Sequence, residues 1–398
     1  MHAKGIVGLM LKDCLSSLHA KQAEALQVGV GAALRGGHLS LSGLSRRLEG
    51  AVALRHRVKR IDRLLGNDAI HAERTEIYGA LARHWLRQIE HVLVVVDWSD
   101  LTDDQQWHLL RASVAVEGRS VTLYEEVHPR HRLASRWVHQ RFLAKLARLL
   151  PAGCTPIVMT DAGFRSPWFD ALSRRHWPWL GRVRNRDLVS IDGGAWQKAK
   201  DLYAMATEQP QEFVNVLHVR KHPVRRRFVL VKEASKGRIH RTSLGQRCRS
   251  KRSLQCARRE REPWLLACAP ELDHLSPAAI VALYAQRMRI EESFRDTKSE
   301  RKGMGLSGTR SRSAPRLELL LLIGHLAAWL LRLIGESAQQ CQLALRFQST
   351  GRTDRKEISV MTLASRVVQE QMQWLTATRL RLALDRLRMQ VQEAWQGA

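Results

Sequence analysis

Two short apolar runs, each closed by an aspartate, constrain the fold of this chain more than any other feature. The run HVLVVVD ends at Asp97, and the run TPIVMTD ends at Asp161. A continuous apolar run of this length is typical of a strand that is buried on both faces. Between the two runs lie two more strand-like segments, joined by a turn at residues 117–119, and a helix predicted over residues 135–150.

A helix through Phe169 and a strand around residues 179–183 complete the pattern. Three meandering strands followed by a helix, a strand, a helix and a strand predict an α/β fold with a ribonuclease-H-like mixed sheet. Such a sheet would place Asp97 and Asp161 side by side at its ligand-binding edge. Either aspartate alone is more simply a turn residue or a helix N-cap. Two or three carboxylates beside a basic surface, however, form the arrangement that binds two Mg²⁺ ions.

A third candidate acid lies in the run YAQRMRIEESFRDTK, where Ser276 as N-cap and Pro277 at the first position predict a helix that continues to Lys298. At about 100° per residue, one narrow arc of this helix carries four polar side chains. They are Tyr284, Arg287, Glu291 and Lys298. The neighbouring Glu292 lies about 100° from Glu291 and leaves the arc. The simpler alternative is a solvated face that carries an ion pair between Arg287 and Glu291.

The charge of the chain indicates a polyanionic partner. The 65 lysines and arginines exceed the 38 acids, which gives a net charge of +27 and a pI near 10.9. Nucleic acid is the first candidate and an anionic membrane surface the second. The strongest apolar stretch, residues 319–331, is shorter than the roughly 20 residues of a membrane helix and predicts a buried core helix. We therefore expect a cytoplasmic protein without a membrane partner.

Six cysteines form no CxxC pair and no Cys/His cluster at zinc spacing, so we expect reduced structural thiols. The first 85 residues are helix-like, and two short helices joined near Gly50 suggest a helix-turn-helix that contacts DNA. The second of these helices carries the basic side chains Arg55, Arg57, Lys59, Arg60 and Arg63. The alternative is an ordinary basic solvated face.

About 130 positions separate Asp161 from Glu291, so a subdomain must be inserted between them. Residues 219–262 hold 16 lysines and arginines against 3 acids, which favours contact with the DNA backbone over a solvated loop. The predicted domains are a helical DNA-binding domain at 1–85, the first part of the catalytic core at 86–189, a basic β-rich insertion at 190–262, the second part of the core at 263–300 and a helical C-terminal domain at 301–398.

These motifs together resemble those of bacterial DDE transposases of the insertion-sequence-four family. The predicted helix fits the family signature Y-x2-R-x3-E-x6-K at every spacing, and the aspartates in VVVDWSD and VMTDAGF match its first two acids. The resemblance implies that Asp97, Asp161 and Glu291 hold two Mg²⁺ ions, for which Mn²⁺ can substitute. It also implies that phosphates near the cleaved end are contacted by Tyr284, Arg287 and Lys298.

The resemblance implies further that Trp264 receives a base flipped out of the transposon end, as base flipping needs a stacking surface. A core position is the alternative for this side chain. The expected partners are double-stranded DNA, as terminal inverted repeats and as target, and a second copy of the chain in the synaptic complex. The expected location is the cytoplasm, at the nucleoid.

The predicted activity is cut-and-paste DNA transposition through metal-assisted phosphoryl transfer, with end cleavage, hairpin formation and opening, and strand transfer. Two alternatives stay open. One is a ribonuclease-H-like, structure-specific nuclease that cuts without joining. The other is a non-catalytic, sequence-specific DNA-binding protein derived from a transposase.

Overall fold

The computed structural model describes residues 2–232, 246, 250, 254, 262–348, 357–370 and 373–396. The described residues form ten strands of mixed direction with flanking helices, which confirms the predicted α/β fold and is consistent with a ribonuclease-H-like transposase core. More than half of the basic stretch at 219–262 lies outside the described residues, and so do Cys248 and Cys256.

The strands alternate with helices only in the middle of the chain, whereas both terminal regions are helical. The strands are β1 His91–Asp100, β2 Trp107–Val116, β3 Arg119–Pro129, β4 Thr155–Thr160, β5 Trp179–Arg182, β6 Leu188–Ile191, β7 Gln197–Lys198, β8 Gln211–His218, β9 Val224–Val231 and β10 Trp264–Cys268. The helices are α1 Ala3–Leu11, α2 Ala20–Leu34, α3 Leu41–Arg46, α4 Leu54–Leu65, α5 Asp68–Trp85, α6 Arg136–Leu149, α7 Ser166–Ser173, α8 Pro277–Ala285, α9 Arg289–Lys298, α10 Ala314–Gln340, α11 Ala344–Phe347, α12 Val360–Glu370 and α13 Ala377–Gln396.

The chain divides into two compact units. Unit 1 comprises Met1–Thr155 and Met288–Gly397, and unit 2 comprises Pro156–Arg287. The helical regions at both ends of the chain therefore belong to one unit together with β1, β2 and β3. Whether the five predicted segments are separate domains stays a prediction.

The sheet of unit 1 is an antiparallel meander in the order β3-β2-β1. Gly118 closes the predicted turn between β2 and β3 with a φ of 67°, a conformation that suits glycine. Strand β1 does not end at Asp97, as the sequence predicts, but continues to Asp100. The prediction is wrong because the pairing with β2 extends beyond the apolar run. Trp98 and Ser99 pair with Leu110 and Leu109.

Helix α10 forms the centre of the helical part of unit 1. It packs against α2, α12 and α13 and buries nearly every side chain from Leu317 to Ala338, as predicted for its apolar stretch. In length and apolar composition it could cross a membrane, but 94% of its most apolar window is buried inside the protein. Such burial is that of a core helix.

Unit 2 carries the remaining strands in the order β4-β5-β10-β9-β8-β6-β7. The first pair is parallel and the others are antiparallel. The strands predicted in the inserted segment are present as β8 and β9, and Asp161 follows the last residue of β4 directly, as predicted. The short strands β6, β7 and β10 are not anticipated by the sequence pattern.

The prediction of one long helix from Ser276 to Lys298 is wrong in one respect, because this segment forms two helices. Its start is confirmed, because Pro277 is the first helical residue and the Ser276 hydroxyl accepts a hydrogen bond from the Ala279 amide at 3.2 Å. Between α8 and α9, residues Gln286–Met288 form a 3-10 turn. A 3-10 turn has three residues per turn, so the angle of 100° per residue does not carry the predicted arc across it.

Candidate active site

Asp97 lies within β1, on the sheet face that helix α9 covers. In the register of β1 and β2, Asp97 is directly opposite Arg111, and directly opposed residues point to the same face. The Arg111 guanidinium contacts α9, as described below, so the Asp97 carboxylate shares that face. Its side chain is half-buried, and one carboxylate oxygen accepts a hydrogen bond from the Trp98 amide at 2.8 Å.

Lys298 joins the end of helix α9 to strand β1. Its ammonium group donates to the Ser99 hydroxyl at 2.5 Å and to the backbone carbonyl of Asp100. Burial, reinforced by the positive charge of Arg111, lowers the pKa of Lys298 to about 8, while Asp100 and Asp97 act in the opposite direction. The lysine therefore ties the helix that carries Glu291 to the strand that carries Asp97.

Arg111 holds the middle of the same helix. Its guanidinium donates to the Ser293 hydroxyl at 3.0 Å and to the Thr297 hydroxyl at 3.1 Å, and it lies 5.0 Å from the Phe294 ring centroid. The positive charge is balanced by Glu125 on β3 at 2.7 Å. Because Arg111 and Glu125 are buried to 2% and 1% exposure, this pair is a fixed part of the core beneath α9.

The two adjacent glutamates of α9 differ in their surroundings. Glu292 forms ion pairs with Arg119 at 3.4 Å and with Arg295. Arg119 also binds Asp296 at 2.9 Å, so it holds the side of the helix that faces the β2–β3 turn. Glu291 is exposed, whereas Glu292 is partly buried. Glu292 therefore helps to hold the helix against the β2–β3 turn. The choice of Glu291 as metal ligand stays a prediction.

Asp161 belongs to unit 2, where it follows β4. Its side chain is half-buried, and it accepts a hydrogen bond from the Gly163 amide at 2.8 Å. Burial, Arg165 and Arg186 lower the pKa of Arg184, whereas Asp187 and Asp161 raise it. The Asp161 carboxylate therefore lies near several arginines of unit 2. That Asp161 converges with Asp97 and Glu291 stays a prediction.

Tyr284, Arg287 and Trp264 meet in unit 2. The half-buried Trp264 ring packs edge-on against the buried Tyr284 ring, with centroids 5.0 Å apart and an interplanar angle of 74°. The Arg287 guanidinium lies 6.0 Å from the Tyr284 centroid. Trp264 is therefore neither fully in the core nor fully exposed.

Helix α8, which carries Tyr284, has a buried arginine at its entry. The Arg227 guanidinium donates to the backbone carbonyls of Leu272 at 3.0 Å and Leu275 at 2.7 Å, and it pairs with Glu212 at 2.5 Å. Both carbonyls lie in the turn that precedes the helix. This contact fixes where α8 begins.

In the predicted DNA-binding region, α3 and α4 form the expected pair of short helices around Gly50, whose φ is 104°. Four of the five basic candidates on α4 are exposed, namely Arg55, Lys59, Arg60 and Arg63. Arg57 is partly buried and donates to the backbone carbonyls of Val52, Leu48 and Gly50. Its guanidinium therefore holds the connection between the helices.

The three carboxylates are the right chemistry for Mg²⁺, a hard cation that prefers oxygen ligands. Two of them, Asp97 and Glu291, lie on a strand and a helix that are directly joined. Among the described residues, however, no group of three or more His, Cys, Asp or Glu side chains forms a complete metal site. The shared coordination by the three acids stays a prediction.

The sequence interpretation missed Arg111, Arg119 and Arg227, which position the two helices. One signal was available for Arg111, since it stands in the otherwise apolar strand segment HLLRASVAV. A charge inside a buried strand needs a partner, so such a position predicts an internal ion pair. No comparable local signal marks Arg119, which stands in the polar turn EGRS, or Arg227, which is the last of three consecutive arginines.

The comparisons with known proteins agree with this arrangement. Residues 89–331 match the family model of the transposase DDE domain, and this range includes Asp97, Asp161 and Glu291. A search of the curated proteins finds no match. The family match covers more than half of the chain and includes both β1 and α9, and the chain therefore belongs to the DDE transposases.

Proposed function

We propose that this transposase moves an insertion sequence by a cut-and-paste route and that it belongs to the insertion-sequence-four branch of the family. We propose this branch because the Y-x2-R-x3-E-x6-K signature resembles that of the cut-and-paste transposase of the insertion sequence that flanks the tetracycline-resistance transposon. The observation that carries the proposal is the attachment of α9 to β1: Lys298 joins the helix of Glu291 to the strand of Asp97. Two candidate ligands are thus held on neighbouring elements.

Asp97, Asp161 and Glu291 are the residues that would hold two Mg²⁺ ions, with Mn²⁺ able to substitute. When bound, the ions would lower the pKa of the attacking water or 3′-hydroxyl and stabilise the leaving oxygen. The chain itself supplies rigidity at this point. Lys298 and Arg111 fix α9 at its end and at its middle, so the Glu291 carboxylate is presented from a helix that cannot rotate freely.

Tyr284, Arg287 and Lys298 would contact phosphates near the cleaved transposon end, and Trp264 would receive a flipped base. Arg287 brings a positive charge beside the Tyr284 ring, which suits a phosphate. Trp264 is half-buried with its ring held edge-on by Tyr284, and this supports a stacking surface for a flipped base. The proposed reaction is hydrolysis at the end, attack of the freed 3′-hydroxyl on the opposite strand, opening of that hairpin, and joining to target DNA.

The N-terminal helices would bind the terminal inverted repeats as duplex DNA. The four exposed cations of α4 lie on a short helix that follows a second short helix, as in helix-turn-helix proteins. We propose that two copies of the chain act together on paired ends, in the cytoplasm at the nucleoid.

The test is a joining reaction with the full-length protein, Mg²⁺, a target plasmid and a pre-cut duplex copied from the DNA that flanks the reading frame. Joined products are expected, and Glu291→Gln should abolish them while DNA binding persists. Cleavage of uncut duplex without joining would indicate a nuclease. Binding without any reaction in Mg²⁺ or Mn²⁺ would leave a DNA-binding protein and would overturn the proposal.

A further inference from the structure

Helix α6 of unit 1 carries a tryptophan on its outer surface. The Trp137 side chain is 51% exposed, and no other phenylalanine, tyrosine or tryptophan in the described residues is as open to solvent. Tryptophan is usually well covered in a folded chain, and tryptophan and arginine are both enriched at interaction surfaces relative to the rest of a protein surface. The sequence interpretation assigned this residue no role.

Two arginines lie against the Trp137 ring. The guanidinium carbon of Arg141, one helical turn further on, is 4.5 Å from a ring centroid, and that of Arg132 is 5.1 Å away. Such cation–π contacts hold the two flexible side chains in place. Arg132 reaches the ring from the turn before α6, where Ala134 has a left-handed φ of 57° that is uncommon for a residue other than glycine.

The segment around Trp137 carries positive charges and contains no acidic residue. From Arg130 to Arg148 the sequence contains six lysines and arginines and no acid. Within the described part of the chain, Lys145 has its charge partner in Glu126, whereas neither Arg132 nor Arg141 forms an ion pair. We call the exposed cluster of Arg132, Trp137 and Arg141 the Trp137 patch.

The Trp137 patch lies on the other side of the sheet from the candidate active site. On β1, successive side chains point to opposite faces. Ser99 contacts Lys298 of α9, whereas the indole of its neighbour Trp98 donates to His139 of α6 at 3.0 Å. Helices α9 and α6 therefore cover opposite faces of the strand, so a ligand on the patch is separate from DNA in the active site.

We propose that the Trp137 patch binds the backbone of a duplex DNA segment that does not enter the active site. Guanidinium groups held at fixed positions suit the regularly spaced phosphates of a duplex, and the indole offers an apolar surface for deoxyribose. This proposal rests on the proposed function in one respect, namely that the polyanion bound by the patch is DNA.

The experiment measures how the full-length protein binds a duplex that lacks transposon ends, by fluorescence anisotropy over a range of salt concentrations. The slope of log affinity against log salt should fall by about 0.9 for each phosphate contact that is lost. Arg132→Gln with Arg141→Gln should therefore lower the slope by roughly 2. Trp137→Ala should weaken binding at unchanged charge, and Trp137→Phe should retain more of it.

The matched control is Arg346→Gln with Arg381→Gln, which removes the same charge from exposed positions on α11 and α13. If the patch variant changes the slope no more than this control, and Trp137→Ala binds as the wild type does, the proposal is wrong. It is also wrong if the patch variants lose binding to polyglutamate but not to duplex DNA. A joining reaction that fails in the wild type refutes the proposed function and leaves a positive slope result standing.

Discussion

The two helices that carry the Y-x2-R-x3-E-x6-K signature are each held by an arginine that is paired with a glutamate, but the two glutamates differ in burial. On the Glu291 side, Arg111 from β2 binds helix α9 and is balanced by Glu125, which is 1% exposed. On the Tyr284 side, Arg227 from β9 binds the entry to helix α8 and is balanced by Glu212, whose side chain is 35% exposed.

The two arginines constrain their helices in different ways. Arg111 binds side-chain hydroxyls of α9 and so fixes the rotation of the helix that presents Glu291. Arg227 binds backbone carbonyls before α8 and so fixes where that helix begins. A carboxylate that coordinates metal needs the tighter constraint, because small displacements of catalytic groups are costly. Contacts to DNA phosphates tolerate more freedom.

The largest expected effect separates the two adjacent glutamates of α9. Glu291→Gln should lower the rate of the joining reaction on the order of 10³-fold or more, as does the loss of other groups that stabilise transition-state charge. Glu292→Gln is the matched control and should change the rate only a few-fold, since it loses two partly exposed ion pairs, each of about 0–1 kcal/mol. Equal losses in the two variants would contradict the assignment of Glu291.

The next effect concerns the more buried of the two arginines. Arg111→Met should lower the free energy of unfolding of unit 1 by about 3–5 kcal/mol, because it leaves the Glu125 carboxylate buried without its counterion. Scanning calorimetry measures the change. The double variant Arg111→Met with Glu125→Gln should be less destabilised than the sum of the two single variants. Additive losses would show that the pair does not act as a unit.

Arg227→Met should be milder. Its partner Glu212 can turn to water, so we expect a loss of about 1.5–3 kcal/mol for the hydrogen bonds of the charged group. The same calorimetric comparison of the two methionine variants tests whether the burial of the acid decides the cost. A larger loss for Arg227→Met than for Arg111→Met would break the comparison between the two helices.

The smallest effect is a pH dependence in unit 1. Burial, with a contribution from Arg111, lowers the pKa of His325 to about 3. Between pH 6.5 and 3 the unfolded chain then binds one proton more than the folded chain, so stability falls with falling pH by up to about 1.4 kcal/mol per pH unit. His325→Phe should flatten the fall of the melting temperature between pH 6.5 and 4.5. An unchanged slope would refute a neutral buried histidine.

The sequence predicted those parts of the fold that local patterns determine. The β2–β3 turn, helix α6, the end of β4 before Asp161 and the Ser276 N-cap follow from apolar runs, glycine and capping residues. Asp97 was misplaced at a strand end because the pairing of Ser99 and its neighbours with β2 depends on tertiary contacts. Nothing local predicted the break at Gln286–Met288, since these residues have good helix propensity.

The candidate site was predictable as a set of residues but not as an arrangement. The spacings of the acids, aromatic residues and cations can be recognised in the sequence. The contacts of Arg111 and Lys298 cannot, because they join residues nearly two hundred positions apart. Lys298 illustrates the limit. The family resemblance implies that Lys298 contacts a phosphate, and only the fold shows that its ammonium group binds β1.

The most direct test is Mn²⁺ binding, because the proposed function depends on metal coordination by Asp97, Asp161 and Glu291. Electron paramagnetic resonance can count the Mn²⁺ ions bound by the full-length protein with a pre-cut duplex. The account predicts two ions per site in the wild type and the loss of at least one in each of Asp97→Asn, Asp161→Asn and Glu291→Gln. Wild-type Mn²⁺ binding by Asp161→Asn would contradict it.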